Sequence, residues 1–275
     1  MIAMRMCRRI IVPVLLAVAI LAGCAGSQAS DSGSDADELL RTWEGAQIYL
    51  PGPRPRSGVR IRDVDLAAYE PSDGAVPVIV HAHGCTGLSR ASAEFGYRMA
   101  KAGFLVIEPD SFARSYKPRS CDGPRAKGGF HRGVLGWRHA EIDHALKKVR
   151  ELPFVDRDNV FLAGHSEGAI ATATYEGEVV SGRIIEGWTC HAGWPEYRGL
   201  AAPADEPVLA LLGEDDPWFR GRAVLTGDCG AFMRGAGQRS IVYRAPSPLA
   251  DQHWLSFDEG VRAEILDFLN RYRTR

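Results

Sequence analysis

The chain has 275 residues, which is enough to bury a large core and within the length of one α/β domain. Its apolar content of 45% and its charged content of 24% are ordinary for a globular protein. The formal net charge of −1 provides no general attraction to a polyanion, so we expect no nucleic-acid partner.

The N-terminal residues differ from all that follow. Three arginines precede an apolar run over residues 10–22, which is short for a transmembrane helix and suits the core of a signal peptide. The run ends in Leu-Ala-Gly-Cys at residues 21–24, which resembles a bacterial lipobox, where the cysteine is lipidated. We predict a lipoprotein signal peptide over residues 1–23 and lipidation of Cys24. An ordinary secretory signal or a membrane anchor is the alternative.

Residues 24–38 are mostly Ser, Gly, Ala and Asp, a composition that predicts a flexible tether. The globular domain is then expected over residues 39–275. We expect the lipid to hold this domain at a membrane of the cell envelope, facing the periplasm or the cell exterior.

The domain is predicted to begin with strands. Irregular alternation of apolar residues indicates two leading strands at residues 43–50 and 59–69. The almost continuous apolar run of residues 76–82 is typical of a central parallel strand that is covered on both faces. A Gly-rich loop at residues 83–87 follows, then thirteen residues in helical register and a buried strand at residues 103–110.

Residues 111–138 form a long, irregular segment that is rich in Lys and Arg. Loops of this length are usually functional or mobile. We expect a solvated loop here, and a basic lip for an acidic substrate is the alternative.

Strands and helices alternate through the rest of the chain. Helical periodicity is found at residues 141–152, 169–175 and 261–272. Apolar strand runs are found at residues 160–163, 183–188, 207–213 and 240–244. This alternation predicts a single α/β domain with a mostly parallel sheet and helices on both faces.

A Gly-x-Ser-x-Gly motif at residues 164–168 lies between a predicted strand and a predicted helix. This is the context of a nucleophile elbow, in which a strained turn holds the serine hydroxyl above the sheet edge. Gly164 and Gly168 would remove the Cβ atoms that obstruct a close approach of strand and helix. Ser166 is therefore the candidate nucleophile. A Gly-rich turn with an exposed serine is the alternative interpretation.

Two further groups complete a possible catalytic set. An acid at Asp215 or Asp216 and the imidazole of His253 follow predicted strands, in the chain order Ser, Asp, His. Ligand sites of parallel sheets lie outside the carboxyl ends of the strands. Serine needs an imidazole base, and the imidazole needs a carboxylate on its other nitrogen to hold its tautomer.

Backbone N–H groups of Cys85 and Glu167 are the predicted oxyanion hole, because one lies in the Gly-rich loop and the other directly follows the candidate nucleophile. The remaining histidines near strand ends do not share the late loop position of His253. No metal-binding spacing of histidines lies on a helix, so we predict neither a metal nor a cofactor.

From about residue 76 to residue 257 the chain resembles the dienelactone-hydrolase-like branch of the α/β-hydrolase superfamily. The similar motifs are His-Gly-Cys-Thr-Gly at 83–87, Pro-Asp-Ser-Phe at 109–112, Pro-Phe-Val-Asp at 153–156, Gly-His-Ser-Glu-Gly at 164–168, Gly-Glu-Asp-Asp-Pro at 213–217, and His253. The resemblance implies an α/β-hydrolase fold and a Ser-His-Asp hydrolase. It favours Asp216 as the acid, since Asp-Pro at this turn matches the family pattern.

Dienelactone hydrolases proper use a cysteine nucleophile, whereas this sequence has Ser166. The difference favours a broader carboxylic-ester hydrolase that acts on a small-molecule ester. The alternatives are a non-catalytic envelope protein on a hydrolase scaffold, and an acyltransferase or peptidase with the same triad.

Four tryptophans lie near predicted strand ends, namely Trp188, Trp194, Trp218 and Trp254. They suit the walls of an apolar acyl pocket and equally suit core packing beneath the loops.

The predicted domain contains Cys85, Cys121, Cys190 and Cys229, an even number that suits disulfides in an exported protein. Adjacent strand-end loops favour pairing Cys85 with Cys121 and Cys190 with Cys229. Buried free thiols are the alternative.

The Cys24→Ala variant should be released from the membrane fraction or remain unprocessed, because the acylated cysteine would be the anchor and stable attachment needs more than one acyl chain. Cell fractionation and intact mass spectrometry of the purified protein measure this outcome. The prediction would be contradicted if the variant fractionates with membranes as the parent does and the mass of the parent shows no attached lipid.

Overall fold

The computed structural model describes residues 35–52, 54–72, 74–116 and 118–274. The predicted signal peptide, Cys24 and most of the predicted tether lie outside these residues. The α-helices are α1 (Ala36–Glu44), α2 (Arg90–Lys101), α3 (Val134–Glu151), α4 (Glu167–Thr174) and α5 (Glu259–Tyr272). The strands are β1 (Gln47–Leu50), β2 (Arg56–Arg60), β3 (Val76–Ala82), β4 (Leu105–Glu108), β5 (Cys121–Asp122), β6 (Lys127–Gly128), β7 (Val155–His165), β8 (Gly182–Glu186), β9 (Val208–Gly213) and β10 (Gln238–Tyr243).

Eight of these strands form one sheet in the order β10-β9-β8-β7-β3-β4-β1-β2. The pairs from β10 through to β4 are parallel, whereas β1 is antiparallel to both β4 and β2. Strands β5 and β6 form a separate two-stranded hairpin. The predicted α/β class with a mostly parallel sheet is confirmed.

The sheet has a hydrophobic core on each face. One core joins Leu146 of α3 and Ala169 of α4 to strand residues that include Val80. The other joins Met99 of α2 and Ile265 of α5 to strand residues on the opposite face. Because the central strands are buried on both faces, their sequences are continuous apolar runs rather than alternating ones.

The first element differs from its prediction. Residues 43–50 were expected to be a strand, but Trp43 belongs to α1, and only Gln47–Leu50 form a strand. The Asp35 side chain caps the helix by accepting hydrogen bonds from the N–H groups of Asp37 and Glu38. The helix thus begins inside the predicted tether, and irregular apolar spacing over a short segment did not separate helix from strand.

The prediction of a strand over residues 59–69 is correct only for its first two residues. Strand β2 ends at Arg60, and a 3-10 turn occupies Ile61–Asp63. The segment over residues 111–138 is not a simple solvated loop either, since it contains the β5–β6 hairpin and the first turn of α3.

Two disulfides connect loops at the carboxyl ends of the parallel strands. Cys85 pairs with Cys121 across 6.0 Å between Cα atoms, and Cys190 pairs with Cys229 across 4.8 Å. These are the pairings that the adjacency of the loops favoured. Within the described residues, no helix is both long enough and apolar enough to span a bilayer.

Candidate active site

Ser166 occupies the turn between β7 and α4 with φ 57° and ψ −117°. A positive φ is strained for a residue with a side chain and persists only where the surroundings impose it. The Ser166 N–H donates to the carbonyl of Glu186 on the neighbouring strand at 2.9 Å, and its own carbonyl accepts from Ile170 N–H at 3.0 Å. These bonds hold the predicted strand–turn–helix arrangement, and 9% of the serine surface remains exposed.

Two glycines permit this turn. A Cβ added at Gly168 would lie 1.9 Å from the carbonyl oxygen of Ala82 in β3, and one at Gly164 would lie 2.3 Å from the carbonyl oxygen of Gly168. Both positions exclude any larger residue because the obstructing atoms are backbone.

His253 meets Asp216 at the same sheet edge. The His253 Nδ1–H donates to Asp216 Oδ2 at 2.6 Å, since a carboxylate oxygen accepts. The other Asp216 oxygen accepts from the Trp218 N–H at 2.9 Å, and Asp216 is completely buried. With its proton on Nδ1, the neutral imidazole presents a lone pair at Nε2, which has no hydrogen-bond partner among the described residues.

Asp215 lies apart from this pair. It is half-exposed, its N–H donates to the carbonyl of Ala250 at 2.7 Å, and its carboxylate has no partner in the described part of the chain. Of the two adjacent acids, only Asp216 contacts His253.

The predicted oxyanion donors lie beside the serine. Cys85, Ser166 and Glu167 line one cavity. Glu167 is the first residue of α4, where N–H groups have no acceptor within the helix. Neither its N–H nor that of Cys85 is hydrogen-bonded to another described group.

Glu186 is a site residue that the sequence analysis missed. Its carboxylate accepts the N–H groups of Leu255 at 2.6 Å and Ser256 at 2.7 Å, which directly follow His253 and Trp254. Burial raises the pKa of Glu186, and the hydrogen bonds from residues 255 and 256 oppose that shift. Glu186 therefore connects the serine turn, through its carbonyl, to the histidine loop, through its carboxylate. A charged residue inside an apolar strand run was the available signal.

His165 supports the histidine loop from the other side. Its Nε2–H donates to the carbonyl of His253 at 3.0 Å, and its ring stacks on Trp254 at 3.2 Å between centroids. Burial, with a smaller contribution from His253, lowers the pKa of His165 well below its ordinary value. The ring consequently stays neutral and acts as a fixed donor.

The Gly-rich loop is held by a buried guanidinium. Arg138 donates to the carbonyl of His83 at 2.6 Å, and it contacts Glu141 at 3.5 Å. Arg114 donates to the same Glu141 at 2.6 Å. Both arginines are almost completely buried, so these two basic residues of the long segment form part of the interior and not of a solvated loop or a basic lip.

His83 takes part in the same network. Its Nδ1–H donates to the Gly84 carbonyl at 2.7 Å, and its Nε2 accepts from the Ser111 N–H at 3.1 Å. Burial, followed by the nearby Arg138, lowers the pKa of His83 well below its ordinary value. A neutral ring with this tautomer fixes the start of the loop that carries Cys85.

The cavity beside Ser166 has a volume of about 380 Å³. Trp188, Trp194 and Trp218 line it, whereas Trp254 packs against His165 and is not among the lining residues. The interpretation as a pocket wall thus applies to Trp188, Trp194 and Trp218, and the interpretation as packing beneath the loops applies to Trp254. No group of three or more His, Cys, Asp or Glu residues in the described ranges is arranged to hold a metal ion.

The sequence profile of the dienelactone hydrolase family matches residues 64–227. A Klebsiella pneumoniae subsp. pneumoniae MGH 78578 protein, described provisionally as a dienelactone hydrolase, is 18% identical with a TM-score of 0.55, covering 74% of this chain and 90% of its own. A dienelactone-hydrolase-like promiscuous phosphotriesterase from metagenomic libraries is 16% identical with a TM-score of 0.51, covering 73% and 87%. These likenesses establish the shared fold. No curated protein matches the chain.

The close strand–helix approach leads to a test of stability. Gly168→Ala should lower the free energy of unfolding by about 3 kcal/mol or more, because its Cβ would overlap backbone that cannot move freely. Gly136→Ala is the matched control, since Gly136 is exposed in α3 and no atom lies within 4 Å of its added Cβ. The control should gain about 0.5–1 kcal/mol. Urea unfolding measures both, and similar midpoints for the two variants would contradict the expected difference.

Proposed function

The chain belongs to the dienelactone hydrolase family, and on that premise we propose that it hydrolyses carboxylic esters with Ser166, His253 and Asp216 as its triad. The observation that carries the proposal is the 2.6 Å contact between His253 Nδ1 and Asp216, with Nε2 free of other partners. The strained Ser166 turn lies near the His253–Asp216 pair. The residue before Ser166 is His165, whose ring donates a hydrogen bond to the carbonyl of His253.

In the proposed acylation step, Ser166 Oγ attacks the ester carbonyl while His253 Nε2 takes its proton. Asp216 stabilises the imidazolium, and the N–H groups of Cys85 and Glu167 donate to the oxyanion. Collapse of the tetrahedral intermediate breaks the bond to the alcohol oxygen, which receives the proton from His253. Water then attacks the acyl-enzyme with His253 as base, and the carboxylic acid and the free serine are regenerated.

A serine nucleophile distinguishes this chain from dienelactone hydrolases proper, which use cysteine. A serine hydroxyl must lose its proton to a base as it attacks, whereas a cysteine thiolate can exist before the attack. We therefore propose that the protein acts more broadly on small-molecule carboxylic esters, and not specifically on dienelactone.

We also propose that the protein is exported and attached to a membrane of the cell envelope through Cys24. The lipobox-like residues 21–24 support this proposal. The two disulfides of the domain support it independently, since such bonds persist in oxidising compartments and are rare in reducing ones.

Ser166→Ala should reduce ester turnover by on the order of 10⁴-fold or more, because triad members act as a unit. Initial rates on p-nitrophenyl esters of increasing chain length measure the loss, and mass spectrometry should locate a fluorophosphonate adduct on Ser166. Full activity of Ser166→Ala would overturn the serine mechanism and favour the non-catalytic alternative or another nucleophile. Transfer of the acyl group to an added amine or alcohol in preference to water would favour an acyltransferase.

The adjacent acids provide a matched pair of variants. Asp216→Asn should lower kcat by about 10³–10⁴-fold, because an amide facing the imidazole favours the wrong tautomer. Asp215→Asn removes the same charge from the adjacent residue, which does not contact His253. It should therefore leave kcat within about twofold of the parent value. Equal losses in both variants would contradict the assignment, provided that both unfold at the temperature of the parent.

A further inference from the structure

Among the described residues, five aromatic side chains line the cavity beside Ser166. The rings belong to Trp188, Trp194, Tyr197, Trp218 and Phe219. They lie in two segments, the loop after β8 and the loop after β9, and residues of the β5–β6 hairpin also line the cavity.

The rings hold one another in fixed orientations. Trp188 meets Phe219 edge to face at 5.7 Å and 72°, and Trp194 meets Tyr197 at 5.6 Å and 82°. Trp218 stacks on the His253 imidazole at 5.2 Å and 25°. Each of these geometries is favourable for aromatic pairs, so the ring positions are well determined before a substrate enters.

Trp194 is the most exposed of these rings, at 39%. The Arg132 guanidinium lies over its face at 5.1 Å. A Cβ at Gly129 would lie only 2.5 Å from the ring, so the glycine makes the room that the indole occupies. These contacts hold the Trp194 ring in position against the cavity, although part of its surface is exposed to solvent.

The disulfides attach the walls to the rest of the site. Cys190–Cys229 constrains the loop that carries Trp188 and Trp194, and Cys85–Cys121 ties the hairpin to the loop of the proposed oxyanion donor. A cavity that keeps its shape without ligand loses less conformational entropy on binding.

Charge inside the cavity is low. Among acidic and basic residues, the described lining contains Glu167 and Arg222. Burial raises the pKa of Glu167, which favours its neutral form. Arg222 already donates to the carbonyl of Ala126 at 2.7 Å. The lining thus favours an uncharged, planar, apolar group.

We propose that the substrate is an ester bearing an aryl ring close to its carbonyl, and that this ring binds among Trp188, Trp194 and Trp218. The assignment rests on the proposed ester hydrolysis and specifies its substrate class. An aromatic ring gains edge-to-face and stacking contacts on these walls that a saturated ring of similar size does not gain.

The test compares substrates that differ only in that ring. Ethyl 3-phenylpropanoate and ethyl 3-cyclohexylpropanoate form the acyl pair, and benzyl acetate and cyclohexylmethyl acetate form the alcohol pair. Proton release at constant pH measures kcat/KM without a chromogenic leaving group. We expect the aryl ester to be favoured about tenfold in one pair, the size of one or two aromatic contacts, and that pair identifies which side of the ester occupies the cavity.

Variants of Trp194 show whether the cavity is the cause. Trp194→Leu should bring the aryl preference close to one, and Trp194→Phe should retain most of it. Trp137→Leu is the matched control, since Trp137 lies on α3, outside the residues that line this cavity. Its aryl preference should equal that of the parent.

The outcomes separate the two proposals. Equal or greater kcat/KM for the saturated ester in both pairs, or an aryl preference that survives Trp194→Leu, would overturn the aryl assignment and leave ester hydrolysis intact. Fluorophosphonate labelling of Ser166 without hydrolysis of any of the four esters would also overturn the aryl assignment alone. Absence of labelling together with absence of hydrolysis would overturn the proposed function itself.

Discussion

The close approach of β7, α4 and β3 is the constraint on which the candidate site depends. Gly168 lies against the Ala82 carbonyl so tightly that a single methyl group would overlap it. The strained φ of Ser166 persists because its N–H and carbonyl are both held by hydrogen bonds. Packing of this kind stores conformational strain at one residue and balances it with contacts of the surrounding core.

The loops around the serine are attached to the same buried framework by polar groups. Glu186 binds the backbone after His253, His165 binds the His253 carbonyl, and Arg138 binds the carbonyl of His83, the first residue of the Gly-rich loop. A buried polar group that loses its partner destabilises the fold by about 1–3 kcal/mol or more. These groups therefore specify one arrangement of three loops, and the proposed proton relay between side chains from distant parts of the chain needs such fixed geometry.

Prediction from the sequence succeeded where a local pattern has a local physical cause. The apolar run of β3 and the glycines around Ser166 result from burial on both faces and from a steric limit, which act on neighbouring residues. It was wrong at residues 43–50, where helix and strand patterns overlap in a short segment. It also treated Arg114 as part of an exposed segment, because the Glu141 carboxylate that binds it is 27 residues away.

By itself, the sequence determined the fold class, the motif at Ser166 and the chain order of the three candidate groups, since hydrophobic periodicity and turn formation depend on residues that are close together in the sequence. Only the tertiary structure decided which of Asp215 and Asp216 contacts His253. The two residues are adjacent and identical in type, and the sequence does not show in which direction each side chain points. The tertiary structure also decided which tryptophans line the cavity and that Glu186 joins two loops. Those relations exist only once strands β7, β8 and β9 lie side by side and bring their carboxyl ends to one edge.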